Sequence, residues 1–171
     1  MVSKLSIGFT LIETLLSLVI ISIIVTMSVP SFSHLWSRSQ IDTVVDEFSN
    51  ALYLARSEAI KRAARVTLCA SHDGSSCAET ENSWHHGWLV FVDTQINLED
   101  SAIRVYQTNH SQLTLIGNRY VTKKITFLAT GRMTVLGGTI QVCSQDSSQK
   151  GKNIVLIATG RFRIDTDISC E

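Results

Sequence analysis

The residues best suited to bind a ligand are basic side chains in the last third of the chain. Arg161 and Arg163 are separated by one residue, which places them on one face of an extended strand about 6.7 Å apart. Two guanidinium groups at that spacing could contact successive phosphates of a polyanion. Phe162 and Ile164 would point the other way and anchor the strand in the core. The remaining candidate cations for this surface are Lys123, Lys124, Arg132, Lys150 and Lys152.

The same segment offers a second interpretation of the two arginines. Asp165 and Asp167 would lie on the same face of the strand as the two arginines, so the four side chains could form ordinary surface ion pairs. The charge distribution favours binding: residues 113–171 contain eight Lys or Arg against four Asp or Glu, whereas residues 31–112 contain six against ten. The sequence therefore predicts a local cationic segment, although the formal net charge of the whole chain is zero.

Four cysteines admit either disulfides or a metal site. Zinc sites use closer pairs of ligands, such as two cysteines separated by two to four residues, and the chain lacks such pairs. Cys69 and Cys77 flank a short polar turn, so we expect them to pair locally and leave Cys143 to pair with Cys170. The second bridge would tie the C-terminal tail to an inner strand and hold the nearby arginines in place.

No pattern in the sequence predicts catalysis. The Gly-x-Ser-x-Gly, His-Glu-x-x-His and phosphate-loop motifs are all absent. The adjacent His85 and His86 would point to opposite faces of a strand, where they could not easily hold one metal ion. We therefore expect a protein that is not an enzyme and that has no metal or cofactor, with Trp84 and Trp88 as core or rim aromatics.

The elements that would position these residues begin with an apolar run from Phe9 to Val29, whose only charge is Glu13. At about 1.5 Å per residue the run is roughly 30 Å long, enough to cross the hydrocarbon core of a bilayer. Lys4, on its amino side, predicts that the remainder lies outside the cytoplasm. A secretory signal would be followed by a small-residue cleavage site, which is missing, and a plain single-span anchor would leave Glu13 without a partner.

The residues around Glu13 resemble the leader junction of type IV pilins and type II secretion pseudopilins. They read Gly8-Phe9-Thr10-Leu11-Ile12-Glu13. Pro30 matches the proline that this family carries after the apolar segment. The resemblance implies that a prepilin peptidase cleaves after Gly8 and that the new N-terminal Phe9 is methylated. It also implies that Glu13 pairs with the N-terminal amine of a neighbouring subunit, which a carboxylate in hydrocarbon needs.

Beyond this segment the pattern changes from helical to β-like. Apolar residues spaced three and four apart predict a helix from Ser31 to about Ala64 whose buried stripe is Ile41, Val44, Val45, Phe48, Leu52, Ala55 and Ala59. Runs rich in Val, Ile and Thr then predict seven strands: Val66–Ala70, Gly87–Asp93, Ala102–Gln107, Leu113–Ile116, Lys124–Leu128, Gly138–Cys143 and Asn153–Ile164. Residues 127–132 resemble residues 156–161, which we interpret as two strands that end in similar glycine turns.

The whole layout resembles the GspH/FimT group of minor pilins and pseudopilins. The resemblance is carried by the helix end Ala55-Arg56-Ser57-Glu58-Ala59, by residues 84–93 and by the terminal Thr159-Gly160-Arg161-Phe162-Arg163. It implies an α+β type IV pilin fold, in which a long N-terminal helix, transmembrane in its first half, packs on an antiparallel β-sheet domain. The expected parts are a cleaved leader over residues 1–8, a transmembrane and polymerisation segment over residues 9–30, and a globular domain over residues 31–171.

The resemblance also implies partners and a location. The chain would cross the bacterial inner membrane once, with its C-terminal domain in the periplasm, and then join other major and minor pilin subunits in an extracellular pilus. In FimT-type pilins a C-terminal Gly-Arg-x-Arg motif is associated with binding DNA during natural transformation. The chain has this pattern at residues 160–163, so double-stranded DNA is a candidate partner. Two alternatives stay open: a GspH-like pseudopilin of type II secretion, and a minor pilin that only primes pilus assembly.

Overall fold

The computed structural model describes residues 10–80, 84–93, 101–107, 112–145 and 150–170, and for residues 27–35 it describes the backbone alone. Two compact units divide the chain, one ending at Ser37 and the other beginning at Arg38. Helix α1 (Leu11–Arg62) contributes residues to both. The predicted cleavage residues, Gly8 and Phe9, lie outside the described residues.

The first unit is the amino-terminal part of α1. The carbonyl of Thr10 accepts hydrogen bonds from the N–H groups of Glu13 and Thr14, at 3.1 and 3.2 Å, so the helix begins at Leu11. Glu13 is exposed in the first turn, where a carboxylate interacts favourably with the helix dipole. Among the described residues, no helix is both long enough and apolar enough to cross a membrane. The membrane-spanning segment stays a prediction.

The second unit packs the remainder of α1 against two antiparallel sheets. The first sheet contains β1 (Val66–Ala70), β2 (Gly87–Val92), β3 (Ala102–Gln107) and β5 (Lys124–Phe127), in the order β3-β2-β1-β5. The second contains β4 (Leu113–Gly117), β6 (Gly137–Ser144), β7 (Gly151–Ile157) and β8 (Phe162–Ile168), in the order β4-β6-β7-β8. This architecture confirms the predicted α+β class, with a long helix packed on antiparallel strands, and divides the predicted sheet into two.

The first six predicted strands agree with β1 to β6 to within one residue at each end. The last predicted strand, Asn153–Ile164, is wrong, because β7 and β8 are separate strands joined by a turn at residues 158–161. Gly160 has a φ of +77°, a left-handed conformation that favours glycine and that reverses the chain here. Arg161 therefore lies in the turn before β8, and not on an extended strand with Arg163 as predicted.

The hydrophobic core lies between α1 and the two sheets. The predicted helix stripe is buried along its whole length. Phe48 packs edge-on against Trp84 and Trp88, with ring centroids 5.3 and 5.0 Å apart. Both tryptophans are fully buried, and the indole N–H of Trp84 donates to the carbonyl of Val121 at 3.0 Å. They are therefore core aromatics, one of the two predicted roles.

Two disulfides connect the elements. Cys69 of β1 is bonded to Cys77, and Cys143 of β6 is bonded to Cys170, which follows the end of β8. The Cα atoms of the pairs are 5.6 and 6.0 Å apart. The second bridge thus fixes the C-terminal end of β8. Arg161 precedes the other end of that strand, so its position depends on the turn and not on the disulfide.

Candidate nucleic-acid interface

Arg161 ends the turn that joins β7 to β8. The N–H of Ile157 donates to the carbonyl of Arg161 at 2.9 Å, and the N–H of Gly160 donates to the carbonyl of Ile157 at 2.8 Å. Gly160 is buried, whereas the Arg161 side chain is exposed. Within the described part of the chain, this side chain has no hydrogen-bond or ion-pair partner. Its guanidinium is therefore free to bind an external anion.

Residues 128–132 form a second turn with the same hydrogen bonds. The N–H of Leu128 donates to the carbonyl of Arg132, and the N–H of Gly131 donates to the carbonyl of Leu128, both at 2.8 Å. Gly131 has a φ of +74°, close to that of its counterpart in the other turn. Arg132 is exposed and, among the described residues, also has no side-chain partner. The two similar segments are glycine turns of one kind, which confirms the interpretation of the sequence similarity.

The two turns lie against each other. The N–H of Met133 donates to the carbonyl of Ala158 at 3.0 Å. A Cβ added to Gly160 would overlap the carbonyl oxygen of Gly131, so the backbones approach as closely as glycine permits. One turn follows β5, an edge strand of the first sheet, and the other precedes β8, an edge strand of the second. The contact therefore joins the two sheets and places the arginine of one turn near that of the other.

Arg163 has a partner on its own strand. Its Nε lies 3.0 Å from Oδ1 of Asp165, and its Nη2 lies 3.4 Å from Oδ2. The ion-pair interpretation of the sequence thus holds for Arg163, although not for Arg161. Of the two predicted anchors, Phe162 packs on Tyr53 of α1 with ring centroids 4.7 Å apart, whereas Ile164 is exposed.

The predicted lysines do not join the two turns. Nζ of Lys152 lies 2.7 Å from Oδ1 of Asp42 on α1, and its side chain is only 23% exposed. Lys150 is exposed just before β7, whereas Arg161 follows the end of that strand. A seven-residue strand at about 3.3 Å per residue separates them by roughly 20 Å.

Lys123 and Lys124 are exposed where β5 begins, at the opposite end of that strand from the turn at residues 128–132. The seven cations therefore do not form the single surface that was predicted. The structure brings together Arg132 and Arg161, holds Arg163 and Lys152 in ion pairs, and leaves the other three lysines apart from the turns.

Arg56 of α1 also lies near the turns, although it was not among the cations predicted for this surface. Its Nε lies 3.2 Å from the position that a Cβ on Gly160 would take, and 3.3 Å from the corresponding position on Gly131. This nitrogen is buried and has no hydrogen-bond partner among the described residues. Only the packing of the helix end against both turns reveals its position, so no local pattern in the sequence could have found it.

The histidines form a separate cluster. His85 and His86 lie in a short 3₁₀ turn before β2, and not on a strand as predicted. The ring of His86 contacts His85 and His72, with centroids 4.0 and 4.1 Å apart. Partial burial, and then the two neighbouring imidazoles, lower the pKa of His86. In the ranges that the structure describes, no three His, Cys, Asp or Glu side chains are arranged to hold a metal ion.

Comparison with known proteins gives matches over most of the chain. The family described as type II transport protein GspH matches residues 44–160, and the prokaryotic N-terminal methylation motif matches residues 4–29. No curated protein sequence matches the chain.

Solved structures share the fold. Two crystal structures of the type IV minor pilin FimU from Pseudomonas aeruginosa match with TM-scores of 0.61 and 0.59, at 18% and 19% identity. They cover 78% and 76% of this chain and 97% and 99% of their own. The minor pseudopilin EpsH from the Type 2 Secretion System of Vibrio cholerae matches with a TM-score of 0.49 at 12% identity, over 76% of this chain and 96% of its own.

Proposed function

Because this chain belongs to the GspH family and has the type IV pilin fold, we propose that it is a minor pilin that captures double-stranded DNA for uptake. Family membership and the methylation motif make it a minor pilin or pseudopilin, a class that associates with other pilins. One observation supports the DNA-binding part: two contacting turns hold Arg132 and Arg161 near each other, both exposed and, among the described residues, unpaired.

The proposed binding is electrostatic. A guanidinium can donate two parallel hydrogen bonds to one phosphate, so both arginines suit contacts with the DNA backbone. Backbone contacts carry no sequence information, and we expect the protein to bind unrelated sequences equally well. The other predicted cations would contribute less to DNA affinity. Lys152 and Arg163 are engaged in ion pairs, and the remaining three, Lys123, Lys124 and Lys150, lie apart from the turns.

Processing of the leader is part of the proposal. The methylation motif covers residues 4–29, and the junction between Gly8 and Phe9 lies within it. We propose that prepilin peptidase cleaves there, that Phe9 is methylated, and that the apolar segment anchors the chain in the inner membrane with its globular domain in the periplasm. Mass spectrometry of the mature protein should find methylated Phe9 at the N-terminus. A mature chain beginning after Pro30 would overturn this proposal.

Assembly would depend on Glu13. This carboxylate is exposed in the first turn of α1, and we propose that it pairs in hydrocarbon with the N-terminal amine of a neighbouring subunit. Glu13→Ala should therefore insert in the membrane normally but be depleted from sheared filaments, as measured by immunoblotting. Normal incorporation would contradict the pairing.

DNA binding can be measured on the full chain in detergent by fluorescence anisotropy with a labelled duplex. Affinity should fall as NaCl rises, and Arg161→Gln should weaken binding and reduce the slope of log K against log salt by about 0.9. Arg104→Gln is a matched control, because Arg104 is also exposed but lies on β3, at the opposite edge of the first sheet from β5. Absence of binding by the wild-type chain would refute the DNA function.

The family match favours one second candidate, a pseudopilin of type II secretion, since the family is described as a type II transport protein. That function predicts no DNA binding, and it predicts that loss of the chain blocks export of folded proteins. A chain that only primes pilus assembly would instead reduce filament number when it is deleted, again without binding DNA.

A further inference from the structure

The two turns share a sequence and a backbone conformation, and not only a positive charge. Both contain Ala-Thr-Gly-Arg, both have the same pair of hydrogen bonds, and both place their glycine at nearly the same φ. Each arginine therefore leaves its turn from an equivalent backbone position. The structure thus contains two copies of one arginine-bearing turn. They are 29 residues apart in sequence and contact each other through their glycines.

The contact limits the distance between the two arginines. A Cβ on Gly160 would lie 3.2 Å from the carbonyl carbon of Gly131, and each arginine directly follows its glycine. With standard backbone dimensions, the Cα atoms of Arg132 and Arg161 are no more than roughly 11 Å apart. Successive phosphates of one DNA strand rise by about 3.4 Å along the helix axis and also rotate about it, so their separation in space exceeds this rise. Long arginine side chains that leave Cα atoms so close together can reach neighbouring phosphates of one strand.

We propose, on the basis of the proposed function, that the two turns form one two-armed site for neighbouring phosphate groups of a single nucleic-acid strand. Arg132 and Arg161 are the arms and contribute equally. This assignment differs from the Gly-Arg-x-Arg pattern, because it replaces Arg163 by an arginine from a distant part of the chain.

Two observations support this choice of arms. Arg163 already has a two-point ion pair with Asp165, and a phosphate would have to displace that carboxylate. Arg132 has no such competitor among the described residues. Both arms also leave from backbone that is fixed by hydrogen bonds and by the glycine contact, so less conformational freedom is lost on binding than from a mobile loop.

Arg56 adds a third positive charge behind the arms. Its Nε lies against both glycines, is buried and, in the part of the chain that the structure describes, lacks a hydrogen-bond partner. A buried charged donor without an acceptor is unfavourable, and an anion held nearby offsets part of that cost. The carboxylate closest in sequence on α1, Glu58, is engaged by Lys61 and Arg62. The charge at the junction of the turns therefore favours an anion.

The experiment compares four single variants, at Arg132, Arg161, Arg163 and Arg104, and one double variant of the full chain in detergent. Binding is measured with a labelled 20-base-pair duplex over a NaCl series. Arg132→Gln and Arg161→Gln should each lower affinity about tenfold, as expected for loss of a charge-assisted contact. Each should reduce the salt slope by about 0.9, and the double variant should reduce it by about 1.8. Arg104→Gln should bind like wild type, and thermal unfolding should confirm that every variant is folded.

The outcomes separate this inference from the proposed function. If Arg161→Gln weakens binding while Arg132→Gln keeps wild-type affinity and slope, the two-armed site is wrong and DNA binding stands. An Arg163→Gln variant that loses as much affinity as Arg161→Gln would also overturn the choice of arms. If the wild-type chain does not bind the duplex, the proposed function and the site fail together.

Discussion

Replacement of Gly160 by alanine tests the contact between the two turns on which the candidate site depends. The new Cβ would overlap the carbonyl oxygen of Gly131, which is part of the backbone and cannot rotate away. Gly160 also has a φ of +77°, and a left-handed conformation costs other residues roughly 1–2 kcal/mol. The variant therefore combines backbone strain with a displacement of one turn from the other.

Gly74→Ala is the matched control for the strain alone. Gly74 has a φ of +75°, and its added Cβ would meet Cγ1 of Val105 at 2.8 Å and Nε2 of Gln107 at 2.9 Å, both of which belong to movable side chains. We expect Gly74→Ala to lower the free energy of unfolding by about 1–2 kcal/mol. Gly160→Ala adds an overpacking cost of about 1–3 kcal/mol, for a total of about 2–5 kcal/mol.

Thermal unfolding of the purified chain, followed by the fluorescence of its buried tryptophans, measures the difference. At roughly 4 °C per kcal/mol, Gly74→Ala should lower Tm by about 4–8 °C and Gly160→Ala by about 8–20 °C. Equal losses of Tm in the two variants would refute the close approach of the turns.

Three further predictions concern the rest of the globular domain. Phe48→Ala should lower the free energy of unfolding by about 3–5 kcal/mol in urea titrations, because the ring is buried against two tryptophans; a loss below 1 kcal/mol would contradict that packing. The pKa of His86 is lower in the folded chain than its ordinary value of 6.5, so the unfolded chain binds more protons, and Tm should fall as pH decreases below about 6.5. His86→Asn should reduce this pH dependence, and an unchanged profile would exclude His86 as its source. The double variant Cys143→Ser/Cys170→Ser should lose about 3.6 kcal/mol of stability, and wild-type stability in urea would show that the bridge does not constrain the chain.

The parts of the fold that were predictable follow from local patterns. Spacing of apolar residues by three and four identified the buried stripe of α1, because that stripe is set by helix geometry alone. Runs of β-branched residues identified β1 to β6, because the preference of these residues for strands is also a local property of the sequence. The boundary between β7 and β8 was missed because the predicted strand was continued through Gly160 to Ile164, although the similarity of residues 156–161 to residues 127–132 already indicated a glycine turn there.

The candidate site was only partly predictable, because its geometry depends on contacts between distant segments. Side chains two residues apart on an extended strand share a face, and we therefore predicted that Arg161 and Arg163 lie together. That alternation does not apply to Arg161, because it lies in a turn. The neighbour of Arg161 is instead Arg132, brought there by contact between two glycines. Lys152 lies in a polar segment of the sequence and was therefore predicted to be an unpaired surface cation. Its partner, Asp42, lies on α1, more than 100 residues earlier in the chain.

Transformation frequency is the measurement that tests most directly whether this protein captures DNA. Cells would carry the Arg132→Gln/Arg161→Gln chain in place of the wild-type chain, with a deletion strain and an Arg104→Gln strain for comparison, and filaments would be counted in each. We expect the double variant to assemble normal numbers of filaments but to transform at about the frequency of the deletion strain. Wild-type transformation by the double variant would contradict it.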